Sequence, residues 1–378
     1  MDNSIREFIE KSVNYKIREI DSDTHFWMIR TKRGYFFEEF VKEGYVALGW
    51  NIITKGTVLD CQSKTIVKES IQRLYGDKRP MLAVNKCENF IYNMKEGDYL
   101  IIPSAGSSKI AFAIAGKYYE DDSKNFETEQ SVIPKIDNSE YEINQVKCPY
   151  RKRRKITILK ILEMHSLPYD LRRAISAYHG ISSFDDYAES ILNSIYDCFS
   201  YKSNITFTIN IQKKDAIKPR EISKLMYSLT EFFTGIVDED IISTTISLNS
   251  PGNVRIKLKD GIEKLTKAKI PLIFLFIAVT GGSAFGFELP GIMGFIKQYK
   301  TIEIEVEKER IELQRAEIAL NSEKLEYINN FLEMMNKAEE EGVDVENIIE
   351  QLNALNILKG TLEFEASPLI NEVAQDEK

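Results

Sequence analysis

His25–Arg30 patterns like a strand, and the apolar run Tyr45–Trp50 predicts a second, more buried one. Between them, Lys32–Gly34 predicts a turn. Tyr35–Lys42 predicts a short amphipathic helix with Phe36, Phe37 and Phe40 on one side. This span holds Trp27 and Trp50, the two tryptophans of the chain. A strand opening on one and another closing on the other can bring two indoles to one end of a small barrel, although large aromatics are also ordinary core. Helical spacing recurs in Ser4–Lys16, in Lys64–Tyr75 (Ile66, Val67, Ile71, Leu74) and in Val84–Met94. Lys95-Glu96-Gly97-Asp98 reads as a turn, Tyr99–Pro103 as a buried strand, Ser104–Ser108 as a small-residue loop and Lys109–Tyr118 as a further strand. Short links between these elements suit a compact mixed barrel.

Asn204–Gln212 alternates cleanly, with Ile205, Phe207, Ile209 and Ile211 on one face. Pro219 opens a helix whose inner face is Leu225, Met226, Leu229, Phe232 and Phe233, and Ile241–Leu248 and Val254–Leu258 form a hairpin. Ile270–Phe287 carries no charge over 18 residues and lies between lysines 264, 267 and 269 and lysines 297 and 300. That length admits a membrane span. The density of Ile270–Val279, followed by Gly281-Gly282-Ser283, equally suits a buried helix, with Ala284–Leu289 as a strand. From Thr301 onward two apolar rows repeat every seven residues: Ile304, Ile311, Ile318, Leu325, Leu332 and Val306, Leu313, Leu320, Tyr327, Met334. They fall on opposite sides of one helix, which predicts packing on both sides in a bundle or homo-oligomer. Val343–Leu358 predicts a short helix, Gly360–Glu365 an edge strand and Asn371–Lys378 disorder.

The expected fold class is therefore α+β: an N-terminal mixed barrel (1–200), a central α+β domain (201–295, containing the 270–287 segment) and a helical oligomerisation tail (296–378). The net charge of −8 conceals an asymmetry, since the tail from Thr301 holds 20 acidic and 7 basic residues. The rest is mildly basic, which permits an anionic ligand without demanding one. Four widely spaced cysteines match no zinc pattern and suggest a reducing, cytoplasmic setting, or association with the inner membrane if 270–287 spans it.

FWMIRTKRGYFFEEFVKEGYVALGW, NFIYNMKEGDYLIIP, IAFAIAGKYYEDD and YRKRRKITIL follow one another in an order and spacing that resembles PUA-like, EVE-related domains. Such domains head some modification-dependent restriction proteins and other bacterial defence proteins. The resemblance covers roughly residues 20–200, with Ser166–Ser200 as a helical extension. It implies a reader that holds a modified base, nucleic acid or nucleotide in an aromatic pocket. Carried onto this chain, it implies Trp27, Arg30, Gly49, Trp50 and Asn51 as pocket residues, with Ser104 opposite. The three glutamates of Gly34–Glu43 depart from what a DNA reader should show. The basic run Arg151–Lys155, if a strand, places Arg151, Arg153 and Lys155 on one side as a phosphate patch. Nuclease, zincin, hydrolase and phosphate-loop motifs are absent in usable contexts, so no enzymatic activity and no cofactor is expected. The expected partners are a nucleic acid or nucleotide and a second copy of the chain, with signalling by assembly in phage defence. A membrane effector and a structural scaffold are the alternatives.

Overall fold

The structure, a computed structural model, describes residues 17–57, 59–60, 63–143, 145–178, 180–247, 252–281 and 332–365. The expectations for Ser4–Lys16, Ala284–Leu289, the apolar rows up to residue 331 and Asn371–Lys378 lie outside them. The chain divides into two compact units, one of Asp23–Ile195 and one of the residues flanking it on both sides. In chain order the strands are Glu19–Ile20 (β1), Phe26–Arg30 (β2), Tyr45–Leu48 (β3), Tyr99–Pro103 (β4), Lys109–Glu120 (β5) and Lys152–Glu163 (β6). They continue with Gly180–Ser183 (β7), Cys198–Tyr201 (β8), Asn204–Ile211 (β9), Ile242–Ser247 (β10), Gly252–Leu258 (β11) and Phe364–Glu365 (β12).

The Asp23–Ile195 unit is a mixed sheet in the order β3-β6-β5-β4-β2-β7, curled into a half-barrel. β2 runs parallel to β4, and the remaining pairs are antiparallel. The hydroxyl of Thr31, just after β2, donates to the carbonyl of Ala47 on β3 (2.7 Å), which ties together two strands far apart in the sheet order. Helix α1 (Phe37–Glu43) buries Phe37 and Phe40 and stops at Gly44, whose φ of +68° only glycine adopts freely. Helix α2 (Ser63–Tyr75) meets the core along Val67, Ile71 and Tyr75. This row of i+4 spacing is narrower than the expected face, so Ile66 and Leu74 remain exposed. The helix expected over Val84–Met94 is α3 (Pro80–Glu88) running into a π-turn at Asn89–Asn93. α4 (Phe126–Asp137) follows β5. Ser166–Ser200 is not purely helical. Between α5 (Tyr169–Ala177) and α6 (Ala188–Ile195), β7 pairs with β2, and Ile181 contributes to the core.

The second unit is a sheet in the order β1-β8-β9-β11-β10, with β12 also on β9. Its inner face of Ile205, Phe207, Ile209, Ile211, Val254, Ile256 and Leu258 is covered by α7 (Pro219–Thr234), α8 (Ile270–Gly281) and α9 (Val345–Leu362). Phe276 stacks on Phe232 (centroids 5.0 Å apart) and meets Phe233 edge-on at 4.9 Å. α8 is apolar all round because its surroundings are core: Leu272, Ile273, Leu275, Phe276, Ile277 and Val279 are all buried. Among the described residues no helix is long and apolar enough to cross a membrane. The described part of the tail shares this core rather than forming a body of its own. Ile348 of α9 sits so close to the end of α7 that a Cβ on Gly235 would meet it at 2.8 Å. Residues 332–340 are helical, but the positions they bury are Met335 and Ala338. Leu332 and Met334, from the two apolar rows, are only partly buried. The expected edge strand begins only at Phe364, because Gly360–Leu362 continue α9.

Candidate functional site

After β3 the chain turns through Gly49–Ile53, and two buried charged side chains grip this turn from opposite poles. Glu129, on α4, accepts the Trp50 N–H at Oε1 (2.8 Å) and the Asn51 N–H at Oε2 (2.8 Å). The Tyr75 hydroxyl donates to Oε2 as well (2.8 Å). Lys152, the first residue of β6, is fully buried and donates from Nζ to the carbonyls of Trp50 (2.7 Å) and Ile53 (2.8 Å). Burial pushes its ammonium below the ordinary lysine value. Gly49 leaves room for this arrangement, since a Cβ there would lie 2.8 Å from Glu129 Oε1 and 2.9 Å from the Tyr150 ring. Burial also pushes the neighbouring Cys87 thiol up to about 11.

The side chain of Asn51 completes the brace. It donates to the carbonyls of Asn125 (2.8 Å) and Pro149 (2.9 Å) and accepts the Arg151 N–H (2.9 Å). Trp50 itself sits at φ +61°. That left-handed conformation costs an L residue roughly 1–2 kcal/mol, so the surrounding bonds must hold it. Its indole is only partly buried against the core. The result is an aromatic ring presented on a fixed turn.

The other expected pocket residues have structural work. Trp27 is buried and donates its indole N–H to Asp98 Oδ2 (2.9 Å). Asp98, from the Lys95–Asp98 turn, also accepts the N–H groups of His25 (3.2 Å) and Lys95 (2.8 Å). The turn motif and the first tryptophan are thus one hydrogen-bonded unit, and no ring contact joins Trp27 to Trp50 among the described residues. Arg30 reaches the end of α5, donating to the carbonyls of Ile175 (2.7 Å) and Tyr178 (3.4 Å) and to Ser107 Oγ (2.9 Å). Ser104 accepts the Lys109 N–H (2.9 Å) and fixes its loop. The loop passes so close to Gly34 that a Cβ there would meet the Ser104 backbone at 2.4 Å.

Arg153 and Lys155 alternate along β6 with the inward Lys152 and Arg154, and Arg151 comes just before the strand, but the charge of the two arginines is balanced. Arg151 pairs with Glu120 (3.0 Å) and Asp122 (2.6 Å), and Arg153 pairs with Asp121 (3.1 Å) and lies 4.5 Å over the Tyr45 ring. Only Lys155 of the three is exposed. The sequence reading missed the inward members of the same run. Lys152 holds the turn, and Arg154 donates to the carbonyls of Gly116 (2.8 Å), Phe90 (3.1 Å) and Met94 (2.7 Å), capping the π-turn. Period-two alternation was the signal that could have found them, because alternate residues of a basic strand must face inward. Glu129 carried no such signal.

The residues that follow the turn in sequence line one side of an open groove, formed by Lys55, Gly56, Thr57, Leu59, Glu88, Tyr92 and Asn93. The Tyr92 hydroxyl donates to the Lys55 carbonyl (2.8 Å), and Lys64 pairs with Glu88 (2.7 Å). Among the described residues no cluster of His, Cys, Asp and Glu could hold a metal ion. The profile of a family described as Domain of unknown function (DUF8426) matches residues 27–148, which include the turn, Glu129 and the groove but stop short of Lys152. Curated proteins give no match.

Proposed function

We propose that the Asp23–Ile195 unit is a PUA-like ligand reader that holds a nucleobase, free or within a nucleotide or nucleic acid, against the face of Trp50. The observation that carries this reading is the Trp50 turn. A bulky residue is kept in a left-handed conformation by Glu129 and Lys152, yet its ring is left partly open. Strain of this kind persists where surrounding structure over-determines it and often marks a binding position. Base stacking on an indole is sequence-tolerant and favourable. The groove lined by residues just past the turn supplies Lys55 as a cation for a phosphate and the Asn93 amide, whose nitrogen also donates to Asn89 Oδ1 (2.8 Å). Binding proceeds without turnover, and occupancy is passed on through assembly of the chain in a defence response.

Trp50→Gly tests the reading, because glycine accepts the positive φ and should leave the fold intact. Titration of the wild type with nucleosides, nucleotides and short oligonucleotides, with and without modified bases, should quench tryptophan emission for at least one of them. Trp50→Gly should then weaken binding by roughly tenfold to a hundredfold, as expected for loss of one stacked base. Undiminished affinity in a folded Trp50→Gly, or no binding across the panel, overturns it.

A further inference from the structure

We propose that β10 is a docking edge for a second copy of this chain, paired antiparallel about a two-fold axis through Thr244. This rests on the second unit alone and is independent of the ligand reading. Among the described residues β10 lies at the end of its sheet, with six residues in unbroken register against β11. The opposite end of that sheet is the two-residue β1, and the terminal strands of the other sheet, β3 and β7, have four residues each. Exposed edges are normally guarded by charge, proline, a bulge or shortness. Ile242–Ser247 (ISTTIS) has none of these protections.

Its side chains repeat the same openness. Ile242, Thr244 and Ile246 lie opposite Leu258, Ile256 and Val254, so they continue the inner face of the sheet. Their β11 partners are buried, but Thr244 is exposed and Ile246 is 39% exposed. Among the described residues the apolar cover therefore thins along β10, from Ile242, which packs partly against the core, to Ile246.

The chemistry selects the occupant. The Lys259 N–H donates to the Ile241 carbonyl (2.8 Å), which makes 241 and 259 a hydrogen-bonded pair. By antiparallel alternation, residues 242, 244 and 246 then turn their backbone N–H and C=O groups outward. A second β10 related by a two-fold axis at Thr244 offers the same three residues in reverse order. Thr244 faces its own counterpart, and each Ile242 faces the other copy's Ile246, matching apolar to apolar and neutral to neutral. About six backbone hydrogen bonds would close the seam.

The test uses the full chain. Sedimentation over a concentration series should show a dimer, and Thr244→Pro, which removes one outward N–H per copy, should weaken it more than about tenfold. Thr244→Cys should form a disulfide-linked dimer on mild oxidation, because a hydrogen-bonded antiparallel pair sets Cα atoms about 5.5 Å apart. Ser243→Cys, which faces Thr245 of the other copy rather than itself, should cross-link no more than wild type. A monomer at all concentrations, or a dimer whose Thr244→Cys form cross-links no better than Ser243→Cys, overturns the proposal. Should Thr244→Pro fail to fold, the cysteine pair decides.

Discussion

The two units solve the problem of a polar backbone in different ways. Among the described residues the Asp23–Ile195 unit buries four charged side chains, Asp98, Glu129, Lys152 and Arg154, each bonded to backbone groups of turns or helix ends. The described core of the second unit buries no charged side chain; its buried polar groups are Ser200, Thr206, Ser228, Thr280 and Gln351, set among aromatic and aliphatic packing. Charges in a low-dielectric interior are costly unless paired, so they enforce particular local geometries. Apolar packing enforces shape and volume but does not position single carbonyls. The first unit is therefore built to hold irregular segments still, and the second to be stable.

The largest effect that would sharpen this contrast is Phe276→Ala. It should destabilise the second unit by about 3–5 kcal/mol, as for other buried phenylalanines. Both tryptophans belong to the first unit, so urea unfolding followed by tryptophan emission should stay put while far-ultraviolet circular dichroism shows an earlier transition. Coincident shifts in both signals would break the contrast. Lys152→Met comes next, leaving the Trp50 and Ile53 carbonyls without their donor. A loss of roughly 3 kcal/mol should appear in the emission-detected transition; a stability gain would mean that the buried ammonium is a burden the fold tolerates, as some buried ion pairs are.

Trp27→Phe should cost roughly 2 kcal/mol in the same transition by leaving Asp98 short of one donor. Unlike Trp50→Gly it should leave ligand affinity nearly unchanged. Equal losses of affinity in both variants would return Trp27 to the pocket. The smallest effect concerns acid. Burial raises the Glu120 and Asp121 carboxyls, but hydrogen bonds outweigh it: Lys55, Tyr118 and Arg151 for Glu120, and Ser123 with the charge of Arg153 for Asp121. Both are held below the ordinary carboxylate range. Their stabilisation is complete above that range and is lost as pH falls through the lowered values. Arg151→Met removes part of the hold on Glu120, so the acid midpoint of the emission signal should move upward. An unchanged midpoint would show the pair to be inert.

Much of the fold was legible because period carries it. The alternation of Asn204–Ile211, the inner face of Leu225–Phe233 and the phenylalanines of α1 depend on local spacing, and they fold as they read. The Lys95–Asp98 turn was also visible, though not its bond to Trp27, because 71 residues separate the two partners. The site was legible only at Gly49-Trp50-Asn51. What makes that turn rigid comes from Glu129 and Lys152, 79 and 102 positions away from Trp50. A lone glutamate on an amphipathic helix and one lysine in a basic run look like solvated surface until the sheet has closed around them. The apolar stretch beginning at Ile270 shows the reverse ambiguity, since composition alone does not distinguish a helix inside a protein core from one in lipid.

The parallel pairing of β1 with β8 has a consequence for modularity. Glu19 lies opposite Ser200 and Ile20 opposite Tyr201, so the points where the chain leaves the second unit and re-enters it are neighbouring strands. Asp23–Ile195 is thus a guest spliced between two adjacent positions of a host sheet. Because the two strands run parallel, any replacement for Asp23–Ile195 must carry the chain back along them as a crossover of about a dozen residues rather than as a tight turn. The architecture is that of one sheet whose chain is interrupted by a self-contained insert.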